Sequence, residues 1–232
     1  MSDGLKELYR RAISVDNETP RLLAFVRRAT DGVARPLVLD VGCGYGRTLR
    51  ALKAAGIDAL GIDVNAEIVA SNLRAGFDAC TPDEFRARGM TADVIVMSHV
   101  VEHFEPRRLL AFIDDYLVYL RPGGHLVLVT PLASNRFFDD FDHVKPYQPL
   151  GIAMVYGVGD AQVQYRGKYR LELVDLWFRR SPFGVAFARG LYVRCWTSPW
   201  LQLANLAGAL AFRASGGLFG RTTGWAGLYR KV

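Results

Sequence analysis

Short, almost wholly apolar runs alternate along this chain with stretches whose apolar residues recur every three or four positions. Leu37 to Val41, Ala59 to Ile62, Phe77 to Cys80, Asp93 to Met97 and Leu126 to Thr130 read as strands. Such runs are too short for helices and suit a parallel sheet covered on both faces. Between them, Arg47 to Ala55, Asn65 to Ala75 and Pro106 to Leu120 keep a helical period. The last of these carries Leu109, Ile113, Tyr116 and Leu120 on one broad face. Asn65 is placed to cap its helix and Gly76 to end it. Thr81-Pro82-Asp83-Glu84 has the composition of a turn or helix start. Two further helices precede the first strand, one through Leu5, Leu8, Tyr9, Ala12 and Ile13, the other through Leu22, Phe25, Val26 and Ala29. Towards the other end the pattern predicts a helix over Leu150 to Tyr156, a strand over Tyr169 to Phe178 and a last strand over Trp225 to Lys231. Strands and helices in alternation build a layered α/β domain.

Chemistry concentrates where the first strand ends. Asp40 is followed by Gly42, Cys43, Gly44 and Gly46, and a helix opens at Arg47. Glycines there let the backbone approach a ligand without a Cβ in the way. The dinucleotide pattern G-x-G-x-x-G fails, because from Gly42 the third glycine would fall on Arg47. This counts against a nicotinamide-linked oxidoreductase on a similar sheet. An acid ahead of the glycines would repel a pyrophosphate and suits a cation. S-adenosylmethionine, with an ammonium and a sulfonium, meets that requirement. Asp63 ends the second strand, 23 residues beyond Asp40, where an acid can accept both hydroxyls of a ribose.

Residues 38–48 closely resemble the first motif of the class I S-adenosylmethionine-dependent methyltransferases. The stretch Ser98-His99-Val100-Val101-Glu102-His103-Phe104 is similar to the fourth-strand motif of their small-molecule branch, which includes the quinone-biosynthesis methyltransferases. Arg121-Pro122-Gly123-Gly124 and the strand after it match another signature, so the resemblance covers residues 37–131 in the right order. Asp142-His143-Val144-Lys145-Pro146-Tyr147 resembles a short loop of related enzymes.

The resemblance implies a Rossmann-like, seven-stranded, mostly parallel sheet with helices on both faces, an antiparallel edge strand and a C-terminal helical insertion. It divides a single domain into leading helices (1–34), a cofactor-binding core (35–180), a helical insertion or cap (181–220) and a final strand (221–232). It assigns S-adenosylmethionine to Asp40, Gly42, Cys43, Gly44, Gly46, Asp63, Val64, Thr81, Ser98 and His99. Many members place an acid at the third strand end to reach the adenine amino group; here Cys80-Thr81 stands there, with Asp83 a substitute. Leading helices in the family often also close over the cofactor.

Methyl transfer asks mainly for alignment of nucleophile, methyl carbon and sulfur. A hydroxyl acceptor must also lose its proton, and His103, His143 and Glu102 are candidates by side-chain chemistry. The competing role for each is structural: Glu102 and His103 bonding the loop backbone, and His143 ordering the segment after Pro131. His125 begins a strand and reads as structural. A non-catalytic S-adenosylmethionine-binding protein would present the same pattern.

Composition narrows the partners. Lys and Arg exceed Asp and Glu by 29 to 23, a net +6, but the excess is scattered along the chain. Neither interleaved aromatics nor an appended module points to nucleic acid. Cys43, Cys80 and Cys195 are odd in number and far apart, which gives neither a disulfide framework nor a metal-ligand spacing, and no metal is expected. The first residues lack a basic start followed by an apolar core, so a cytoplasmic protein is expected, with contact to the inner membrane face as an elaboration. That elaboration rests on residues 195–212, which are uncharged and carry Trp196, Trp200, Leu203, Leu206 and Leu210 between Arg194 and Arg213. Pro199, Gln202, Asn205 and Gly208 argue against a membrane span and for an interfacial helix. A cap over the acceptor site and a homodimer contact compete with it. The expected acceptor is a small or lipid-linked molecule, methylated on oxygen or on carbon.

Overall fold

The computed structural model describes residues 15–134, 137–159, 161–184 and 198–232. Seven strands form one sheet: β1 (Val38–Val41), β2 (Ala59–Ile62), β3 (Asp78–Cys80), β4 (Ala92–Ser98), β5 (Leu120–Pro131), β6 (Leu171–Pro182) and β7 (Gly220–Lys231). Their order is β3-β2-β1-β4-β5-β7-β6. The first five run parallel, and β7 lies antiparallel to both β5 and β6. The helices are α1 (Glu18–Thr30), α2 (Arg47–Ala54), α3 (Ala66–Arg74), α4 (Pro82–Arg88), α5 (Pro106–Leu117), α6 (Pro149–Tyr156) and α7 (Ser198–Ala214). The helix expected through Leu5 to Ile13 lies outside the described residues.

The apolar runs become central strands because both of their faces are buried. On one face Val38, Val94, Val96, Val127, Val129, Ala226 and Leu228 meet Leu22, Phe25, Val26 and Ala29 of α1 and Leu52 of α2. On the other, Ile95, Met97, Leu126 and Leu128 meet Phe85 of α4, Leu109, Ile113 and Leu117 of α5, and Ile152 and Tyr156 of α6. Consecutive residues of one strand therefore serve opposite layers. The indole of Trp225 donates to Tyr147 O at 2.8 Å, and the Tyr147 hydroxyl donates to Phe104 O at 2.8 Å. These bonds tie β7 to the loops on that layer.

Strand order reverses between β1 and β4, whose pairing sets Asp40 beside Val96. Crevices at such reversals, outside the carboxyl ends of the strands, are where sheets of this type bind ligands.

Three boundaries differ from the sequence expectation. Strand β5 begins at Leu120 rather than Leu126: residues 121–124 bulge opposite Asp93, whose Oδ1 accepts from Arg121 Nε at 2.5 Å. Strands β6 and β7 extend to a Pro182–Gly220 pairing, longer than expected because each is the other's partner up to the mouth of the insertion. The insertion itself presents α7 from Ser198, so Cys195, Trp196 and the arginines at 189 and 194 lie outside the described residues. No helix among the described residues is long and apolar enough to cross a membrane.

Crowding around the first turn is testable. Gly46 has φ +73°, and a Cβ there would stand 2.4 Å from Asn72 Oδ1 and 3.4 Å from the Phe77 ring. Gly32 has the same φ with open space around it. Gly46→Ala should cost about 2–4 kcal/mol, combining left-handed strain with overpacking, against about 1–2 kcal/mol for Gly32→Ala. Urea unfolding midpoints give both values, and equal losses would show the crowding to be unimportant.

Candidate active site

The turn after β1 is held from beneath and from the side. Gly42 and Cys43 N–H groups donate to Ile62 O at 2.8 and 3.1 Å, and the buried Asn72 amide of α3 donates to Gly44 O at 2.7 Å. Asp63 Oδ2 accepts from Gly44 N at 3.0 Å, and Oδ1 accepts from Asn65 N at 2.9 Å. The carboxylate at the end of β2 is thereby fixed against the glycine turn. A Cβ on Gly44 would meet nothing, whereas one on Gly42, itself exposed, would stand 2.5 Å from Val100. Neighbouring side chains thus bar a Cβ at Gly42 and Gly46, but not at Gly44.

Asp40 is buried beneath this turn, and its Oδ2 has no hydrogen-bond partner among the described residues. Burial pushes its carboxyl up to about 7, with Arg47 opposing and Asp63 adding to the rise. Cys43 is also buried, and burial, then the charges of Asp40 and Asp63, push its thiol up to about 12. It is a packing residue whose thiol stays protonated at neutral pH. Val64 and Tyr45 flank the turn in solvent.

A second group of charges converges from four elements. Glu18, in the first turn of α1, is only 5% exposed. Its Oε1 accepts from His99 Nε2 and from Arg47, each at 2.9 Å, and its Oε2 accepts from Arg179 of β6. His99 Nδ1 donates at 3.2 Å to Oε1 of Glu102, which is wholly buried and whose Oε2 accepts from Thr130 Oγ1 at 3.0 Å. With a carboxylate at each ring nitrogen, His99 is an imidazolium. Burial alone would lower its pKa, but hydrogen bonds to Glu102 and Glu18 and their charges push it up to about 9. Burial would likewise raise the Glu18 carboxyl, yet His99, Arg179 and Arg47 hold it at about 2. His99 has φ +58°, a left-handed conformation of the kind that clusters at functional sites. Ser98 Oγ, beside it, lies 3.4 Å from Arg47.

The three candidate catalytic side chains come together. Donor atoms of Glu102, His103 and His143 all lie within 4.8 Å of one another, and the two imidazole rings stand 5.0 Å apart, edge to face. His103 Nδ1 is 3.0 Å from Asp142 O, and His143 Nδ1 is 2.6 Å from Phe137 O. A carbonyl only accepts, so Nδ1 carries a proton in each, and His143 Nε2 lies 3.8 Å from Asp140 Oδ2. The donor set could by chemistry take a divalent cation, but both Glu102 oxygens already accept hydrogen bonds. The Glu102 carbonyl also accepts from Val144 and Lys145, so it anchors the loop bearing His143.

Thr81 is engaged otherwise. Its hydroxyl accepts from Glu84 N at 3.3 Å and its N–H donates to Glu84 at 2.7 Å, a capping box that opens α4. Asp83 pairs with Arg86. Glu18, Asn72, Arg179 and Thr130 escaped the sequence reading. Only Arg47 had left a signal, as the residue that broke the dinucleotide pattern.

A family whose members share a methyltransferase domain matches residues 12–177, well over half of the 232. The chain belongs to this family. Its sheet order is that of the class I, S-adenosylmethionine-dependent methyltransferases. Among curated proteins it is similar to a ubiquinone biosynthesis O-methyltransferase of Rhizobium etli, 30% identical over 109 residues, covering 42% of this chain and 43% of the relative. The chain spans less than half the length of the curated relatives it matches. A similar fold occurs in a methyltransferase from Archaeoglobus fulgidus (TM-score 0.55, 20% identity, 97% of this chain and 99% of that one). It recurs in the magnesium protoporphyrin IX methyltransferase of Synechocystis (TM-score 0.51, 14% identity, 100% and 92%).

The charge network has a pH signature. His99 is raised from 6.5 to about 9, so its stabilisation is complete below about 6.5 and is lost as pH rises through about 9. Asp40, raised from 3.8 to about 7, lowers stability as pH rises from about 3.8 to 7 and adds no further change above that. Between pH 7 and 9.5 the thermal midpoint should therefore fall on account of His99, and Glu18→Gln should flatten that fall. A wild-type midpoint unchanged over this range would contradict the assignment.

Proposed function

We propose that the chain moves a methyl group from S-adenosylmethionine to an oxygen of a small or lipid-linked acceptor. The observation that carries this reading is the crevice in which the Asp63 carboxylate is locked against a glycine turn open at Gly44. When bound, S-adenosylmethionine supplies a methyl group already activated on a sulfonium. Asp63 would accept from the ribose hydroxyls, with Gly44 giving close backbone approach and Val64 flanking. The unpartnered Asp40 Oδ2 supplies a buried acid that a nearby cation would draw into its charged form. Ser98 and His99 border the same crevice; as a clamped imidazolium, His99 offers no base and acts on orientation.

Proton removal falls to His103, whose Nε2 lone pair the Nδ1–carbonyl bond leaves available, or to His143, whose Nε2 lies 3.8 Å from Asp140 Oδ2. Glu102 orients rather than abstracts, because both of its oxygens are occupied. Oxygen as the receiving atom is supported by the O-methyltransferase relatives, and an apolar acceptor by the outward face of α7, where Trp200, Leu203 and Leu210 are exposed. That face also supports peripheral contact with a bilayer or with a second copy.

Titration calorimetry tests the cofactor assignment. S-adenosylmethionine should bind the wild type and bind Asp63→Ala at least tenfold more weakly, while NAD should not bind. NAD binding, or equal S-adenosylmethionine affinity in both proteins, would sink it. For the base, turnover with catechol-type hydroxyl acceptors should lose its acid-side pH limb in His143→Gln or His103→Gln, with KM for S-adenosylmethionine unchanged. Retention of that limb in both variants would move the base elsewhere.

A further inference from the structure

A groove of about 670 Å³ runs between α1, the end of β6 and the C-terminal part of α7, apart from the residues assigned to the crevice. That volume falls within the range of about 300–1,000 Å³ usual for small-molecule sites. Its walls are apolar, formed by Val15, Ala24, Trp177 and Phe212. Three arginines line it as well, Arg21, Arg180 and Arg213, and no carboxylate does among the described residues. Such a lining repels cations and attracts an anion that carries an apolar body.

The arginines are set in place by the fold. The Arg21 guanidinium carbon lies over the Trp177 and Phe25 rings, 5.8 and 5.7 Å from their centroids, a cation–π position. Arg180 donates through one terminal nitrogen to Leu218 O at 2.8 Å and Gly220 O at 2.7 Å, while its buried Nε–H has no acceptor among the described residues. Asn17, which also lines the groove, donates to Arg180 O at 2.7 Å. Planar guanidiniums held in this way match the oxygens of a carboxylate or phosphate.

We infer that this groove binds a single-chain anionic amphiphile, its tail along Trp177, Phe212 and Ala24 and its carboxylate or phosphate at Arg21 and Arg180. The site is independent of the cofactor crevice and holds without the acceptor reading above.

The test is calorimetric titration of the full chain with decanoate and decyl phosphate below their micelle concentrations, with decanol as the neutral control. Both anions should bind saturably at one site, and decanol at least tenfold more weakly. Arg21→Gln should weaken the anions at least tenfold, and Ala24→Trp, on an exposed helix position, should abolish their binding. S-adenosylmethionine titration of each variant shows that the fold is intact and reads the crevice separately. The tighter of the two heads identifies the source, a fatty acid or a phosphorylated lipid. Three outcomes would overturn the site: no anion binding, decanol binding as tightly as decanoate, or anion binding unchanged in both variants. Binding confined to phosphatidylglycerol vesicles and indifferent to Ala24→Trp would overturn it too, and would place lipid contact on the outer face of α7.

Discussion

The burial of Glu18 is the constraint on which the top of this molecule depends. A carboxylate taken out of water is costly unless charged partners surround it, and removing one partner leaves the rest uncompensated. Glu18 finds His99, Arg47 and Arg179 on the fourth strand's end, the second helix and the sixth strand. None of these contacts is local. They can form only when α1 lies across the sheet and both strand ends have reached their register, so the ion network and the topology specify each other. The same contacts hold His99 in its left-handed conformation, the strain being balanced by two carboxylates.

The sheet was legible because burial on two faces leaves few polar positions in a central strand. Val94 and Val96 look toward α1 while Ile95 and Met97 look toward α5, and the resulting unbroken apolar run announces a central strand. Asp63 was legible because its distance from the glycine turn is set by one helix and one strand. Glu18 was not: an acid in a helix's first turn reads as a partner of the helix dipole, and only the tertiary fold places it against Arg179, 161 residues away. His103 and His143 could be named for their chemistry alone; their meeting depends on Glu102 bonding the His143 loop. Thr81 shows the converse, since the local capping box of its own helix engages the hydroxyl that family position would turn toward a ligand.

Hydrogen-bond partners separate the four histidines more sharply than position does. Carboxylates on both nitrogens make His99 a fixed cation. Backbone carbonyls accept from Nδ1 of His103 and of His143, whose Nε2 lies 3.8 Å from Asp140 Oδ2. His125 is pushed toward neutrality by burial and by Arg121, Arg230 and Arg28, and it takes part in neither group. Four residues of one type thus divide into a clamp, a pair able to accept protons and a strand residue.

The net positive charge, scattered along the sequence, is sorted by the fold. Beneath the glycine turn stand Asp40 and Asp63, whose mutual repulsion helps to raise Asp40 and would be relieved by a bound cation. On the outer side of α1 the groove is lined by three arginines and, among the described residues, by no acid. Between the two, Asn17 faces Arg180 while its neighbour Glu18 faces Arg179. A shift of register at Arg179/Arg180 accompanies this division of adjacent arginines between separate tasks. One irregular strand pairing thereby borders a crevice suited to cations and a groove suited to anions, a separation invisible to composition because it arises only from which side of α1 each residue meets.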